Sequence, residues 1–152
     1  MATKRTLIAG FGSVLRRDDG FGVEVIRRLA DEGVAEGVTL LEVGTGGIRL
    51  AQELLDPYDR LIIVDAMRRG QPPGSVFVLA VDDVKPAREV DMHATIPSHA
   101  LAVARALGAL PPEILMLGCE PAQVDELSTE LSFEVQEGVE QALREIRRLT
   151  RD

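Results

Sequence analysis

A single cysteine, Cys119, is all the thiol chemistry this chain carries. One cysteine cannot pair within the chain, and zinc sites built on several thiolates need more, so both a disulfide framework and a thiolate zinc site are excluded. Such usage suits a reducing cytoplasm. Positive charge is scarce too: 17 Lys and Arg stand against 25 Asp and Glu, a formal net charge of −8. A nucleic-acid binder needs a basic face to displace phosphate counterions, so no nucleic-acid partner is expected. Long apolar runs are missing. Leu61 to Val64 and Ile114 to Leu117 fall far short of the roughly 20 residues of a membrane-spanning helix. Lys4 and Arg5 precede only Thr6-Leu7-Ile8-Ala9 before the glycines begin, too brief an apolar stretch for a secretory signal. Repeats, low-complexity tracts and long linkers are absent as well. The expectation is a cytoplasmic chain without membrane insertion.

What is present reads as one domain over residues 1–152, large enough to hide about two-thirds of its unfolded surface in a single core. Thr6 to Ala9, stopped by Gly10, has the brief continuous apolar character of a strand covered on both faces. Val23, Ile26, Leu29 and Ala30 recur at helical spacing, which predicts a helix over about 20–32 closed by Gly33. A second strand, Val38 to Val43, leads into Gly44-Thr45-Gly46-Gly47 and a helix carrying Ile48, Leu50, Ala51, Leu54 and Leu55 that Pro57 stops. A third strand runs from Leu61 to Val64 and finishes at Asp65. The short gap to Ser75–Val81 has no room for a crossover helix, so that fourth strand is expected antiparallel and at an edge. Ser98 is read as the N-cap of a helix with Leu101, Ala102, Val103, Ala106 and Leu107, and Ile114 to Leu117 as the fifth strand. Ser132 caps a last helix with Val135, Val139, Ala142, Leu143 and Ile146 on one stripe. This order predicts an α/β three-layer sandwich: a five-stranded, mostly parallel twisted sheet with one antiparallel strand and helices on both faces. Residues from Asp82 to Pro97 are polar and long enough to read as a flap.

Ligand sites in such sheets gather beyond the carboxyl ends of the parallel strands. There the chain places Gly10-Phe11-Gly12-Ser13 with Asp18-Asp19, then Gly44 to Gly47, Asp65, and Gly118-Cys119-Glu120-Pro121. A dinucleotide reading of Gly10-x-Gly12 with Glu42 fails at Leu15, where the third glycine is due. Asp18 and Asp19 would also repel a pyrophosphate at that helix start. A thiol hydrolase using Cys119 and His99 is a second reading, although a lone cysteine among apolar neighbours is more often a small buried residue. The third is a carboxylate and imidazole site from Asp19, Asp65 and His99, a donor set suited to Zn, Ni, Mn or Fe. Set against it, an acidic pair before a helix serves equally as a cap or dipole partner, and a strand-end aspartate can bind nearby backbone N–H groups. His99 is preferred over His93 because a helix N-terminus holds an imidazole neutral, as a ligand must be.

Five segments in order resemble one family. They are Gly10 to Gly22, Gly44 to Gly47, Leu61 to Ala66, Ser98-His99, and Gly118 to Pro121 followed by Leu131-Ser132. The family is that of the hydrogenase maturation proteases, endopeptidases that trim the C-terminal extension from the large subunit of nickel-iron hydrogenases. The resemblance implies that Asp19, Asp65 and His99 are the catalytic and metal-contacting residues, and that the metal is nickel carried by the precursor's own thiolates. Other divalent ions would fit the same donors. It implies the large-subunit precursor as partner, with the glycine turn carrying Ser13 where the family has Asn. Two other functions share the scaffold: a non-cleaving, nickel-dependent binding or chaperone module, and a peptidase acting on a different precursor. The net charge of −8 suggests a docking partner with basic residues.

Overall fold

The computed structural model describes residues 4–82 and 96–151. The flap segment and His93 thus lie almost wholly outside the described residues. The chain runs β1 (Thr6–Phe11), a 3-10 turn (Arg17–Gly20), α1 (Phe21–Glu32), β2 (Val38–Gly44), α2 (Ile48–Glu53), β3 (Arg60–Ala66), β4 (Val76–Ala80), α3 (Ile96–Ala106), β5 (Glu113–Cys119) and α4 (Phe133–Thr150). The five strands form one sheet in the order β2-β1-β3-β5-β4. β1 pairs in parallel with β2 and β3, and β3 in parallel with β5. β4 lies antiparallel on β5 at the edge, as the short connection before it requires.

Alternation along the strands divides the core in two. Leu7, Ala9, Leu61, Ile63 and Ile114 face Leu50 of α2, Leu54 just after it, and Leu101 and Ala104 of α3. Ile8, Ile62, Val64, Leu117 and Cys119 face Val25, Leu29, Val135, Val139 and Ile146 of α1 and α4. Leu61, Ile62, Ile63 and Val64 are all fully buried, the mark of a central strand with helices on both sides. Each such side chain contributes about 1.5–3 kcal/mol by leaving water.

Helix boundaries depart from the sequence pattern in specific places. The first turn before α1 is 3-10, so the α-helix begins at Phe21 and buries Val25 at its inner face while Ala30 is exposed. α1 ends at Gly33, whose φ of 91° and N–H donation to the Leu29 carbonyl close it. α2 spans only six residues, leaving Ile48 and Leu55 exposed. α3 starts at Ile96, which puts Ser98 inside its first turn rather than at the cap, and Ala106 and Leu107 are exposed. Every stripe residue of α4 named above is buried.

Candidate functional site

Chain direction reverses between β1 and β3: the α1 crossover carries the chain out to β2 along one face, and α2 returns it along the other to β3. A crevice opens at the carboxyl ends of strands that diverge in this way. β1 leads into it through Gly12 (φ +118°) and the 3-10 turn carrying Asp19, and β3 leads into it through Asp65. Glycine is required here twice. A Cβ at Gly12 would collide with the Asp19 carbonyl, and one at Gly22 with the carbonyl oxygens of Phe11 and Val64. Those close approaches press the start of α1 onto the ends of β1 and β3, and so bring the two acids together.

Asp19 is half-buried and its Oδ2 accepts the Ser13 backbone N–H at 2.9 Å. The Ser13 hydroxyl is turned back on its own loop, accepting the Leu15 N–H at 3.3 Å. Asp65, also half-buried, has its carboxyl pushed up from 3.8 to about 7, first by burial and then by the Asp19 carboxylate, against the pull of the Ala66 backbone N–H. Among the described residues neither acid has a salt-bridge partner. Two carboxyl groups this close disfavour ionisation of both at once, and a cation between them would relieve that repulsion.

His99 stands exposed on the first turns of α3. With Ala100, Val103, Thr45, Gly47 and Ile48 it lines a groove of about 250 Å³, so the glycine loop after β2 and the imidazole share one wall. Asp65 has the strand parity of Leu61 and Ile63, which places it on the face covered by α2 and α3, the same face as His99. Among the described residues no three His, Cys, Asp or Glu side chains are already grouped to hold a metal ion. The structure thus brings Asp19 and Asp65 together and sets His99 across the same face without closing the three into a cage.

The competing chemistries lose their geometry. Cys119 is fully buried in the α1/α4 core, on the opposite face from α3, with its thiol pushed up to about 12 by burial and by Asp18 and Glu120. It cannot supply a thiolate. Glu42 is bound to Arg27 at 2.9 Å on the surface instead of lining a nucleotide cleft.

A family model described as hydrogenase maturation protease matches residues 23–149. The chain belongs to the hydrogenase maturation protease family. It is 34% identical over 148 residues to the hydrogenase expression/formation protein HoxM of Azotobacter vinelandii, covering 95% of this chain and 71% of that protein. The hydrogenase-maturating endopeptidase HybD of E. coli superposes with a TM-score of 0.80 at 27% identity, over 97% of this chain and 92% of its own. HybD of Thermococcus kodakarensis, a [NiFe] hydrogenase maturation protease, does so at 0.77 and 30%, over 96% and 99%. The five-stranded sheet with its one antiparallel pair is the fold of these proteases.

Two features of the protease escaped the sequence pattern. Neither acid of the Asp18-Asp19 pair caps α1, whose cap position is Gly20. Asp18 is fully buried and is bound to a segment more than a hundred residues away. Glu120 is buried as well, its Oε1 accepting the backbone N–H groups of Arg69 at 2.7 Å and Gln71 at 3.1 Å, which ties down the loop after β3. The only sequence signal for either was a charged residue in an otherwise buried neighbourhood.

Proposed function

We propose that this chain is a single-domain cytoplasmic endopeptidase that removes the C-terminal extension of a nickel-iron hydrogenase large-subunit precursor after nickel insertion. The reading is supported by the Asp19–Asp65 pair, two mutually repelling carboxyl groups at the sheet's switch point with no salt-bridge partner among the described residues. Nickel held by the precursor's thiolates would supply the missing positive charge, so the loaded precursor docks and the empty one is repelled. Two carboxylates and an imidazole make a weaker site than a thiolate cage, which lets Asp19, Asp65 and His99 sense the ion without keeping it. His99, exposed across the groove, is placed to add the third contact as the precursor closes the site. One oxygen of the carboxylate pair takes a proton from the attacking water, the water oxygen bonds to the peptide carbonyl carbon, the C–N bond breaks, and the proton passes to the departing amine.

The test is mass analysis of a purified precursor, with and without nickel, before and after exposure to the protein. A C-terminal peptide released only from the nickel-loaded form is expected. Intact mass in both arms would refute the reading, and Asp65→Asn or His99→Ala cutting at the parent rate would remove those residues from the site.

A further inference from the structure

Asp18 is a buried, fully occupied carboxylate with no place in the chemistry above. Its Oδ2 accepts the Ala122 N–H at 2.8 Å, the Gln123 N–H at 2.9 Å and the Ser132 hydroxyl at 2.9 Å, and its Oδ1 accepts the Ser132 N–H at 2.7 Å. All four donors belong to the segment joining β5 to α4. The backbones of the two segments are laced together beside this clamp: the Asp18 N–H donates to the Gln123 carbonyl, the Arg17 N–H to the Ser128 carbonyl, and the Ser128 N–H to the Leu15 carbonyl. Ser132 stands at the N-cap of α4, yet its hydroxyl makes no cap bond and is spent on Asp18. The 3-10 turn bearing Asp19 has only four residues, too few to fix its own side chains by helical bonding.

We propose that Asp18 and Ser132 are positioning residues: together they anchor the turn so that Asp19 is held against Asp65, and the 122–132 segment serves as the template for the acid rather than as a passive connection. The inference rests on the reading of Asp19 as a site residue. It follows from bond count and chain geometry. Asp18 precedes Asp19 directly, so a shift of the Asp18 backbone is passed to Asp19 through one peptide unit. Charge-assisted bonds are among the stronger ones available, and the two from Ser132 are buried, so loss of the carboxylate strands both of them while the part-buried bonds from Ala122 and Gln123 break beside them. An amide at position 18 would turn its NH2 toward donors and push the turn outward, whereas removing the Ser132 hydroxyl weakens the clamp by one bond of four.

Four variants, Asp18→Asn, Ser132→Ala, Ser132→Thr and Asp19→Asn, are compared with Val139→Ala, a cavity in α4 that destabilises without touching the turn. Activity on nickel-loaded precursor and hydrogen exchange at the Ser13 amide, which donates to Asp19, are both measured. The expected result is kcat lowered about 100-fold by Asp18→Asn and about 5-fold by Ser132→Ala with a smaller rise in KM, Ser132→Thr near the parent, and faster Ser13 exchange in the first two while amides in the middle of α4 keep their protection. If Asp18→Asn does not fold, Ser132→Ala alone decides. The proposal is overturned if Ser132→Ala matches Val139→Ala in kcat and leaves Ser13 exchange at the parent rate. Should Asp19→Asn cut as fast as the parent, the site reading falls and the positioning role with it. Loss of activity in Asp19→Asn beside parent-like kcat in Asp18→Asn and Ser132→Ala overturns the positioning role only.

Discussion

The two faces of the sheet treat their share of the site differently. On the α1/α4 face Asp19 is located by packed groups: Gly22 is pressed onto backbone oxygens, buried Asp18 is locked to the segment before α4, and the helices above are long and continuous. On the α2/α3 face the wall consists of a six-residue helix with Ile48 exposed, the glycine loop after β2, and the first turns of α3 with His99 open to solvent. Asp19 is thus preorganised, and the imidazole is left free to meet whatever arrives. The proposed testing of a metal held by another protein gains from that division, because a closed three-ligand cage would bind stray ions and admit no precursor.

The largest effect expected from breaking this contrast is at Gly22. Gly22→Ala drives a methyl group into the carbonyls of Phe11 and Val64, and a loss of more than about 4 kcal/mol is expected. Urea denaturation with an unchanged midpoint would show that the contact is not as tight as described. Next comes Asp65→Asn, expected to slow cleavage by about 10²–10⁴ while raising the Tm by about 3–8 °C at pH 8, because a desolvated charge beside Asp19 is removed. Falling activity with a falling Tm would indicate a structural role instead.

The pH dependence has a fixed sign. With its carboxyl raised from 3.8 to about 7 in the folded protein, Asp65 holds its proton more tightly folded than unfolded. Its contribution to stability is complete below about pH 4 and is lost as pH climbs through about 7, with no further change above. The difference in stability between the parent and Asp65→Asn should therefore widen in the variant's favour between pH 4 and 7, measured by Tm in matched buffers, and a flat difference would contradict the burial of that charge. A smaller effect is expected at His99. His99→Ala should leave the Tm within about 1–2 °C, since the side chain is exposed, and act on precursor KM. The smallest is at Arg28, whose guanidinium joins Glu32 and Glu140 at 2.8 Å each across α1 and α4. Arg28→Ala should leave cleavage at the parent rate and lower the Tm by no more than about 1–2 °C, and high salt should shrink that difference.

Much of this was legible in the sequence where one physical rule acted alone. The antiparallel edge strand followed from a gap too short for a helix, and the stripe Val135 to Ile146 from its period. Asp19 and Asp65 were legible as carboxylates following strands. Rules in competition hid the rest. Ala30 fits the helical period of α1, yet the buried face is centred on Gly22, Val25, Ile26 and Leu29, which leaves Ala30 exposed. Ser98 has the chemistry of a cap, but the helix begins two residues earlier. Asp18 looked like a partner for the helix beside it, while its bonds run to Ala122, Gln123 and Ser132. Contacts of that sequence separation leave no periodic trace, so only coordinates reveal them.

Cys119 gives the architecture a further meaning. It is the chain's sole sulfhydryl, enclosed beneath α4 where a Cβ on Gly138 would lie 2.7 Å from its Sγ. A soft ion cradled by sulfur in a client protein would be drawn to any accessible mercaptide on the processing enzyme. With its one thiol sealed away and Asp19, Asp65 and His99 as the donors at the proposed site, the fold has no thiolate with which to compete for such a cargo.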